Sequence, residues 1–99
     1  MDPAKSDSHI SDVVLSTAGR DQGQWFYVID EDPVYLMLAN GKDRTLEKPK
    51  RKKRKHTQKV LRSETRVADK LRSGGKVLNS ELRRDLAFLA RDTSDNLGG

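Results

Sequence analysis

The stretch that decides the fold runs from Val13 to Gly41 and reads VVLSTAGRDQGQWFYVIDEDPVYLMLANG. It contains three short runs of β-branched and aromatic residues, which predict strands when turn residues separate them. The three predicted strands are Val13–Thr17, Trp25–Ile29 and Val34–Leu38. The intervening AGRDQGQ predicts a loop, and DEDP predicts a turn. The dipeptide Asn40–Gly41 favours a type I′ hairpin after the third strand, because both positions of that turn need positive φ.

Three strands leave open sheet edges, and the polar stretch that follows them is the natural source of further strands. We expect residues 44–58 to supply one or two more strands and to close a small barrel. Alternation within the second strand places Trp25 and Tyr27 on one side, with Phe26 and Val28 on the other. On this pattern alone, only one of these two sets should belong to the core.

The second half of the chain has helical spacing. RSETRVADKLRSGG (Arg62–Gly75) places Val67, Ala68 and Leu71 at helical intervals, and its glycine pair predicts a helix end. NSELRRDLAFLARD (Asn79–Asp92) begins with Asn or Ser as a candidate N-cap and has an acid in its first turn. Its three leucines, at positions 82, 86 and 89, lie on one face and are expected to pack against Val67 and Leu71.

These elements predict a mainly β protein, in which a small barrel is followed by a C-terminal helical hairpin. The predicted organisation is a disordered leader at 1–11, the barrel with a basic strand or arm at 12–60, the helical hairpin at 61–92 and a disordered tail at 93–99. The leader, MDPAKSDSHI, is rich in Ser, Asp and Pro and lacks the apolar core of a signal peptide.

Positive charge is concentrated in one segment of the chain, whose 99 residues carry a net charge of +5. Residues 1–49 contain five Lys or Arg against nine Asp or Glu, residues 50–62 contain eight basic residues and no acid, and residues 63–99 contain seven basic and six acidic residues. A local basic patch on an otherwise balanced protein favours a polyanion-binding site over general stickiness.

Few residues suggest catalysis. The chain has no cysteine, so disulfides, thiolate ligands and thiol catalysis are excluded. His9 and His56 have no partners at metal or triad spacing, and the acids of DED at 30–32 are better explained by the turn before Pro33. GRDQG lacks the Lys-Ser/Thr of a phosphate-binding loop. We therefore expect no enzyme activity, cofactor, metal, membrane span or small-molecule substrate.

The basic run KPKRKKRKH (Lys48–His56) allows three interpretations. It could be a solvated charged linker, a nuclear import signal carried by PKRKKRK, or a nucleic-acid surface. The last is favoured, because uncompensated cations repel one another unless a polyanion such as RNA is present. Aromatic side chains near such a run can stack on bases. The candidates are Trp25, Phe26, Tyr27 and Tyr35.

The segment VVLSTAGRDQGQWFYVIDEDPVYLMLA (Val13–Ala39) resembles the KOW motif, with Gly23 as the glycine at its eleventh place. Together with VYLMLANGKDRTLEKPKRKKRKH and the helical KVLNSELRRDL, the chain is similar from about Asp12 to about Leu89 to small bacterial KOW-domain RNA-binding proteins. That group is related to KOW proteins of the archaeal and eukaryotic large ribosomal subunit.

The resemblance implies an SH3-like barrel and binding to RNA, with ribosomal RNA as the expected target. It also implies a cytoplasmic, ribosome-associated monomer with ribosomal proteins as further partners. The matched loop residues are Gly19, Arg20, Asp21 and Gly23, and the matched basic residues are Lys48, Lys50, Lys52, Lys53, Lys55 and His56. Two departures stand out: Gln24 replaces a common basic residue, and Arg54 replaces an apolar residue, which leaves open whether residues 50–56 form an alternating strand or an arm.

We therefore expect a non-catalytic protein that holds the phosphate backbone of structured RNA with its basic run. Arg20 and Arg44 are expected to contribute, and Arg51 and Arg54 to contact phosphates or stack through their guanidinium groups. The full expected RNA site is Gly19, Arg20, Asp21, Gly23, Trp25, Arg44, Lys48, Lys50, Arg51, Lys52, Lys53, Arg54, Lys55 and His56. The alternative is a protein-interaction adaptor whose SH3-like barrel binds an acidic protein partner.

Overall fold

The computed structural model describes residues 7–98, with side chains described through Thr93. The strands are β1 (Asp12–Ser16), β2 (Trp25–Glu31), β3 (Tyr35–Ala39), β4 (Lys50–Lys53) and β5 (Thr57–Arg62), and the helices are α1 (Arg66–Ser73) and α2 (Asn79–Gly98). The five strands form one antiparallel sheet in the order β4-β3-β2-β1-β5. A 3-10 turn at Arg54–His56 joins β4 to β5. The prediction of a mainly β fold with C-terminal helices is confirmed, and the polar stretch at 44–58 supplies β4 and the first two residues of β5.

Both faces of the central strands are buried, so the expectation that only one set of β2 side chains is core was wrong. Phe26 and Val28 belong to one apolar cluster, which also contains Val14, Leu36 and Leu38. Tyr27 belongs to a second cluster on the other face, against which Trp25 packs half-buried. The second cluster consists of Val13, Tyr27, Ala39, Val67, Ala68, Leu82, Leu86 and Leu89. The helices cover the second face, a tertiary effect that strand alternation cannot reveal.

Both helices form where their sequences predict. The Thr65 hydroxyl caps α1 by accepting a hydrogen bond from the Ala68 amide at 3.2 Å, and Gly74 ends it with a left-handed φ of 76°. The three leucines of α2 pack against Val67, with Leu71 at the edge of the same cluster, as predicted. α2 continues past Asp92 to Gly98, into the segment predicted to be a loose tail, because no proline or glycine interrupts it before Gly98.

A polar network ties the sheet to the helices. The Tyr27 hydroxyl donates to the Asp85 carboxylate and lies 2.8 Å from the Ser63 hydroxyl, while the Thr65 hydroxyl also donates to Asp85, at 2.8 Å. Burial raises the pKa of Tyr27 to about 12, and its hydrogen bond to the Asp85 carboxylate acts in the same direction. The helices are therefore held by directional contacts as well as by apolar packing.

The loop after β3 corrects the predicted type I′ hairpin at Asn40–Gly41. Ten residues separate β3 from β4, which is too long a connection for a two-residue hairpin turn. Gly41 has a positive φ of 76°, but Asn40 does not have a positive φ. The Asn40 side chain instead accepts from the Lys42 and Arg44 amides. The loop turns differently because it docks on α2: the Asn79 side chain accepts from the Leu46 amide at 2.8 Å, rather than capping its own helix.

The described part of the leader, residues 7–11, packs against the sheet. Ser8 and Ser11 are buried, and the Ser11 amide donates to the Val28 carbonyl at 2.8 Å. The His9 ring nitrogen lies 3.0 Å from the Glu31 carboxylate, and Arg54 donates to the Ser8 carbonyl at 2.8 Å. The predicted disorder of residues 1–6 lies outside the described residues.

Candidate nucleic-acid interface

The loop between β1 and β2 is a compact turn that needs its glycines. Gly19 and Gly23 have φ values of 86° and 92°, a backbone region that side chains with a Cβ rarely adopt. The Gln22 amide donates to the Gly19 carbonyl at 3.2 Å, and the Gly23 amide donates to the Ser16 carbonyl at 2.9 Å. The loop is therefore closed on itself at the end of β1, with Arg20 exposed on its surface.

Asp21 anchors this loop to the basic strand β4. Its carboxylate accepts from the Ser16 hydroxyl at 2.7 Å and lies 2.8 Å from the Lys52 ammonium and 2.7 Å from that of Lys50. Lys52 also donates to the Ala18 carbonyl at 2.6 Å. Burial by itself would raise the pKa of Asp21, but the two ammonium groups and the hydroxyl outweigh it and hold the pKa well below its usual value.

Alternation in β4 divides the basic run between two roles. Lys50 and Lys52 point to the side of the sheet that carries Asp21, whereas Arg51 and Lys53 are exposed on the other side. The Lys52 side chain is only 8% exposed and is already paired. To contact a phosphate, the Lys52 ammonium would have to leave this buried ion pair.

Three cations from separate segments line one cleft, which we call the arginine cleft. Arg20 comes from the β1–β2 loop, Arg44 from the β3–β4 loop and Lys50 from β4. The cleft has a volume of about 150 Å³, and its remaining lining residues are Asp21, Gln24, Phe26 and Asp43. Asp21 pairs with Lys50, which is one of the cleft cations, and with Lys52, which lies outside the lining. Arg20 and Arg44 then face Asp43 as the remaining acid, so the cleft keeps a positive balance.

The outward side of β4 carries a second cationic surface. The Arg51 guanidinium lies 4.3 Å from the centre of the Tyr35 ring, a cation–π contact that holds it over the sheet. Lys53 and Lys55 are exposed, as is Lys48 in the preceding loop. None of these three lysines forms an ion pair with a side chain that the structure describes. These charges therefore remain open to a polyanion.

Three other residues of the expected RNA site make contacts within the fold. The Arg54 side chain is 12% exposed and reaches Glu31 at 3.1 Å and the Asp32 carbonyl at 2.8 Å. Trp25 is half-buried and packs against the helix-covered cluster. His56 is half-buried, and its carbonyl accepts from the Thr17 amide at 2.9 Å. Residues 50–56 are thus neither a full strand nor an arm, but a short strand followed by a 3-10 turn.

Sequence reasoning placed Asp21 in the site but missed its role. The missed signal was the pairing of one loop acid with lysines two residues apart, since residues i and i+2 of a strand share a face. Gln24, noted only as a departure, lines the arginine cleft, as does Asp43. Of the four aromatic stacking candidates, Tyr35 contacts the exposed Arg51 guanidinium, whereas Phe26 and Tyr27 are fully buried.

No protein-family model matches the chain, and no curated protein matches it significantly. Among the described residues, neither helix combines the length and hydropathy that crossing a membrane would need. The same residues contain no group of three His, Asp or Glu side chains arranged to hold a metal ion.

Proposed function

We propose that this protein is a non-catalytic RNA-binding protein of the KOW type, with structured ribosomal RNA as its target. The single observation that carries the proposal is the arginine cleft, where Arg20, Arg44 and Lys50 converge from three segments. Cations gathered on a folded surface neutralise phosphates and release their condensed counterions, which favours association with a polyanion. The exposed lysines and Arg51 of the outward surface extend the same positive field.

The sheet order supports an SH3-like barrel. β4 and β5 are the two edge strands, yet they are consecutive in the chain and joined only by the 3-10 turn. The Arg54 amide donates to the Val34 carbonyl, and the Thr17 amide donates to the His56 carbonyl, so both ends of that turn are attached to the sheet. A connection this short keeps the end of β4 near the start of β5, which is compatible with the closure of a small barrel.

A fixed arrangement of charge favours a folded RNA over a flexible acidic polypeptide. The loop that carries Arg20 is attached to β4 through Asp21, so the positions of Arg20 and Lys50 relative to each other are set before binding. Preorganised cations avoid an ordering cost, and RNA recognition relies on shape and on contacts to the phosphate backbone. An acidic protein partner remains the competing outcome in the experiment below.

The test compares two charge-matched double variants. Arg20→Gln with Arg44→Gln removes both arginines from the cleft, whereas Arg66→Gln with Arg91→Gln removes two exposed arginines from the helices. Binding to purified ribosomal subunits and to protein-free ribosomal RNA is measured by sedimentation and fluorescence anisotropy over a range of salt. Losing two phosphate contacts should make the slope of log K against log salt shallower by about 1.4 to 1.8.

The helix variant should retain the wild-type slope, because its arginines lie outside the cleft. Equal slopes for both variants would refute the assignment of the cleft. Nucleic acid that copurifies with the wild-type protein and is lost in high salt would support RNA binding. The adaptor would be supported instead if the protein purifies without nucleic acid, does not bind ribosomal RNA and does bind a polyglutamate chain.

A further inference from the structure

An apolar tip is held rigidly beside the outward cations. Val34 is 54% exposed and follows Pro33 in the turn between β2 and β3. The Asp32 carboxylate accepts from the Val34 amide at 2.8 Å and from the Tyr35 amide at 2.7 Å, which confirms the turn predicted from DEDP. The Arg54 side chain fastens the same turn through the Asp32 carbonyl. The exposed valine is therefore fixed in place, and a ligand would not have to order it.

This tip forms one wall of a second cleft, which we call the proline cleft. Its lining residues are Pro33, Val34, Lys53, Arg54 and Lys55, and its volume is about 230 Å³. Pockets that enclose whole drug-sized ligands run from about 300 to 1,000 Å³. The proline cleft is therefore suited to part of a ligand, with the remainder outside it near the two exposed lysines.

The chemistry of the proline cleft combines an apolar wall, formed by Pro33 and Val34, with a cationic rim. Lys53 lies opposite Tyr35 in the β3–β4 register, so the rim continues into the Arg51–Tyr35 pair. Arg51 and Lys53 are exposed on the outward side of β4, and Lys55 joins Lys53 in the lining of the cleft. An unpaired nucleotide has the matching chemistry, because its base presents an apolar face and its phosphates carry negative charge. A base within a duplex has no free face to offer.

We propose that the proline cleft binds an unpaired RNA base against Pro33 and Val34, while Lys53 and Lys55 hold the adjoining phosphates. This inference rests on the proposed RNA-binding function and specifies the RNA: a folded molecule with a bulged or looped nucleotide. In this arrangement the arginine cleft binds the phosphate backbone of an RNA duplex, and the proline cleft binds the unpaired base where that duplex is interrupted.

The experiment uses three hairpin RNAs with one stem sequence. The first has a single bulged uridine, the second an abasic residue at the bulge, and the third is fully paired. The first two have the same number of phosphates and differ only in the base. Anisotropy titrations at moderate ionic strength should show that wild-type protein prefers the bulged uridine over the abasic bulge by about 5-fold, the lower end of the range for a base stacked on an aromatic ring, because the wall of this cleft is aliphatic.

Val34→Ser should abolish this preference while leaving affinity for the paired hairpin unchanged. Phe88→Ser is the matched control, since Phe88 is 58% exposed on α2 and lines a different cleft, together with Val67 and Arg84. It should retain the preference. Lys53→Gln with Lys55→Gln should weaken binding to both bulged hairpins equally. Because the side chain of Val34 is exposed, its replacement should leave the circular dichroism spectrum and the unfolding midpoint unchanged.

Each other outcome overturns the inference. Equal binding of the uridine and abasic bulges, or a preference that survives Val34→Ser, removes the base site but leaves the proposed RNA function intact. Failure to bind any hairpin while ribosomal subunits are still bound has the same meaning. Failure to bind hairpins, ribosomal RNA and subunits alike removes both proposals. Binding of a polyglutamate peptide that depends on Val34 would also overturn the base site, because the cleft would then recognise an acidic polypeptide.

Discussion

Replacing Asp21 with asparagine keeps the shape of the side chain and removes the charge that attaches the glycine loop to β4. The wild-type carboxylate accepts one hydroxyl hydrogen bond from Ser16 and pairs with Lys50 and Lys52. Asparagine can still accept from Ser16, so that bond is not expected to change. The free energy of unfolding should fall because the Lys52 ammonium stays buried without its counter-charge.

The size of the effect follows from the exposure of each partner. Removing one partner of a buried ion pair lowers the free energy of unfolding by about 3 to 5 kcal/mol. The Lys52 side chain is 8% exposed and belongs to this class, but it retains the Ala18 carbonyl, which places the loss near the lower limit. The Lys50 side chain is 25% exposed, and its contact contributes about 0 to 1 kcal/mol. We expect a total loss of about 3 kcal/mol, out of about 5 to 15 kcal/mol for a whole domain.

Urea unfolding at neutral pH, followed by circular dichroism, measures this loss directly. With a slope of about 1 to 3 kcal/mol per molar urea, the midpoint should fall by about 1 to 3 M. Asp43→Asn is the matched control, because Asp43 is exposed in the same cleft and loses the same charge. The free energy of unfolding of this control should differ from that of the wild type by less than about 0.5 kcal/mol. Adding Lys52→Met to Asp21→Asn should recover much of the loss, since the unpaired buried charge is then gone.

The pH dependence has a definite sign. The pKa of Asp21 is lower in the folded protein than its ordinary value of 3.8, so its ionised form is favoured by folding. The stabilisation is fully present above the unfolded pKa and is lost as pH falls through the folded pKa. The difference in unfolding free energy between wild type and Asp21→Asn should be constant from about pH 5 to 8 and shrink below about pH 4. Coincident midpoints for the Asp21 and Asp43 variants at neutral pH would refute the anchoring role.

Further expectations concern the packing of the helices on the sheet, and each is measured by chemical unfolding. Placing a side chain at a left-handed backbone position costs about 1 to 2 kcal/mol. Gly41→Ala should cost well over that amount, because the new Cβ would also collide with the backbone of α2. Gly23→Ala should show the backbone cost alone, because its Cβ would meet nothing within 4 Å. Leu82→Ala should cost about 2 to 5 kcal/mol, since Leu82 is fully buried between α2 and the sheet; a loss under 1 kcal/mol would mean that the helix does not pack there. Tyr27→Phe should cost about 1 to 3 kcal/mol by leaving the Asp85 carboxylate short of a donor, and an unchanged midpoint would contradict this network.

Local patterns were sufficient to predict most of the elements. The runs beginning at Val13, Trp25 and Val34 do form strands, because β-branched and aromatic side chains between turn residues leave few alternatives. The helix end at Gly74 and the apolar face of α2 were also readable, since capping and helical periodicity are encoded within a few residues. Predictions failed where distant segments meet: the Asn40–Gly41 turn is shaped by its contact with α2, and strand alternation did not reveal that helices cover the second face of β2.

The sequence by itself determined where the positive charge lies along the chain. The segment from Lys50 to Lys55 contains no acid, and its net charge is the same whether the chain is folded or unfolded. Only the tertiary structure decided which of those charges are available. β4 turns Lys52 inward to the carboxylate of Asp21, 31 residues away, and leaves Lys53 exposed. It also brings Arg20 and Arg44 to one cleft. The physical reason is that the charge of a side chain is a local property, whereas its partner and its exposure depend on strand register and loop closure.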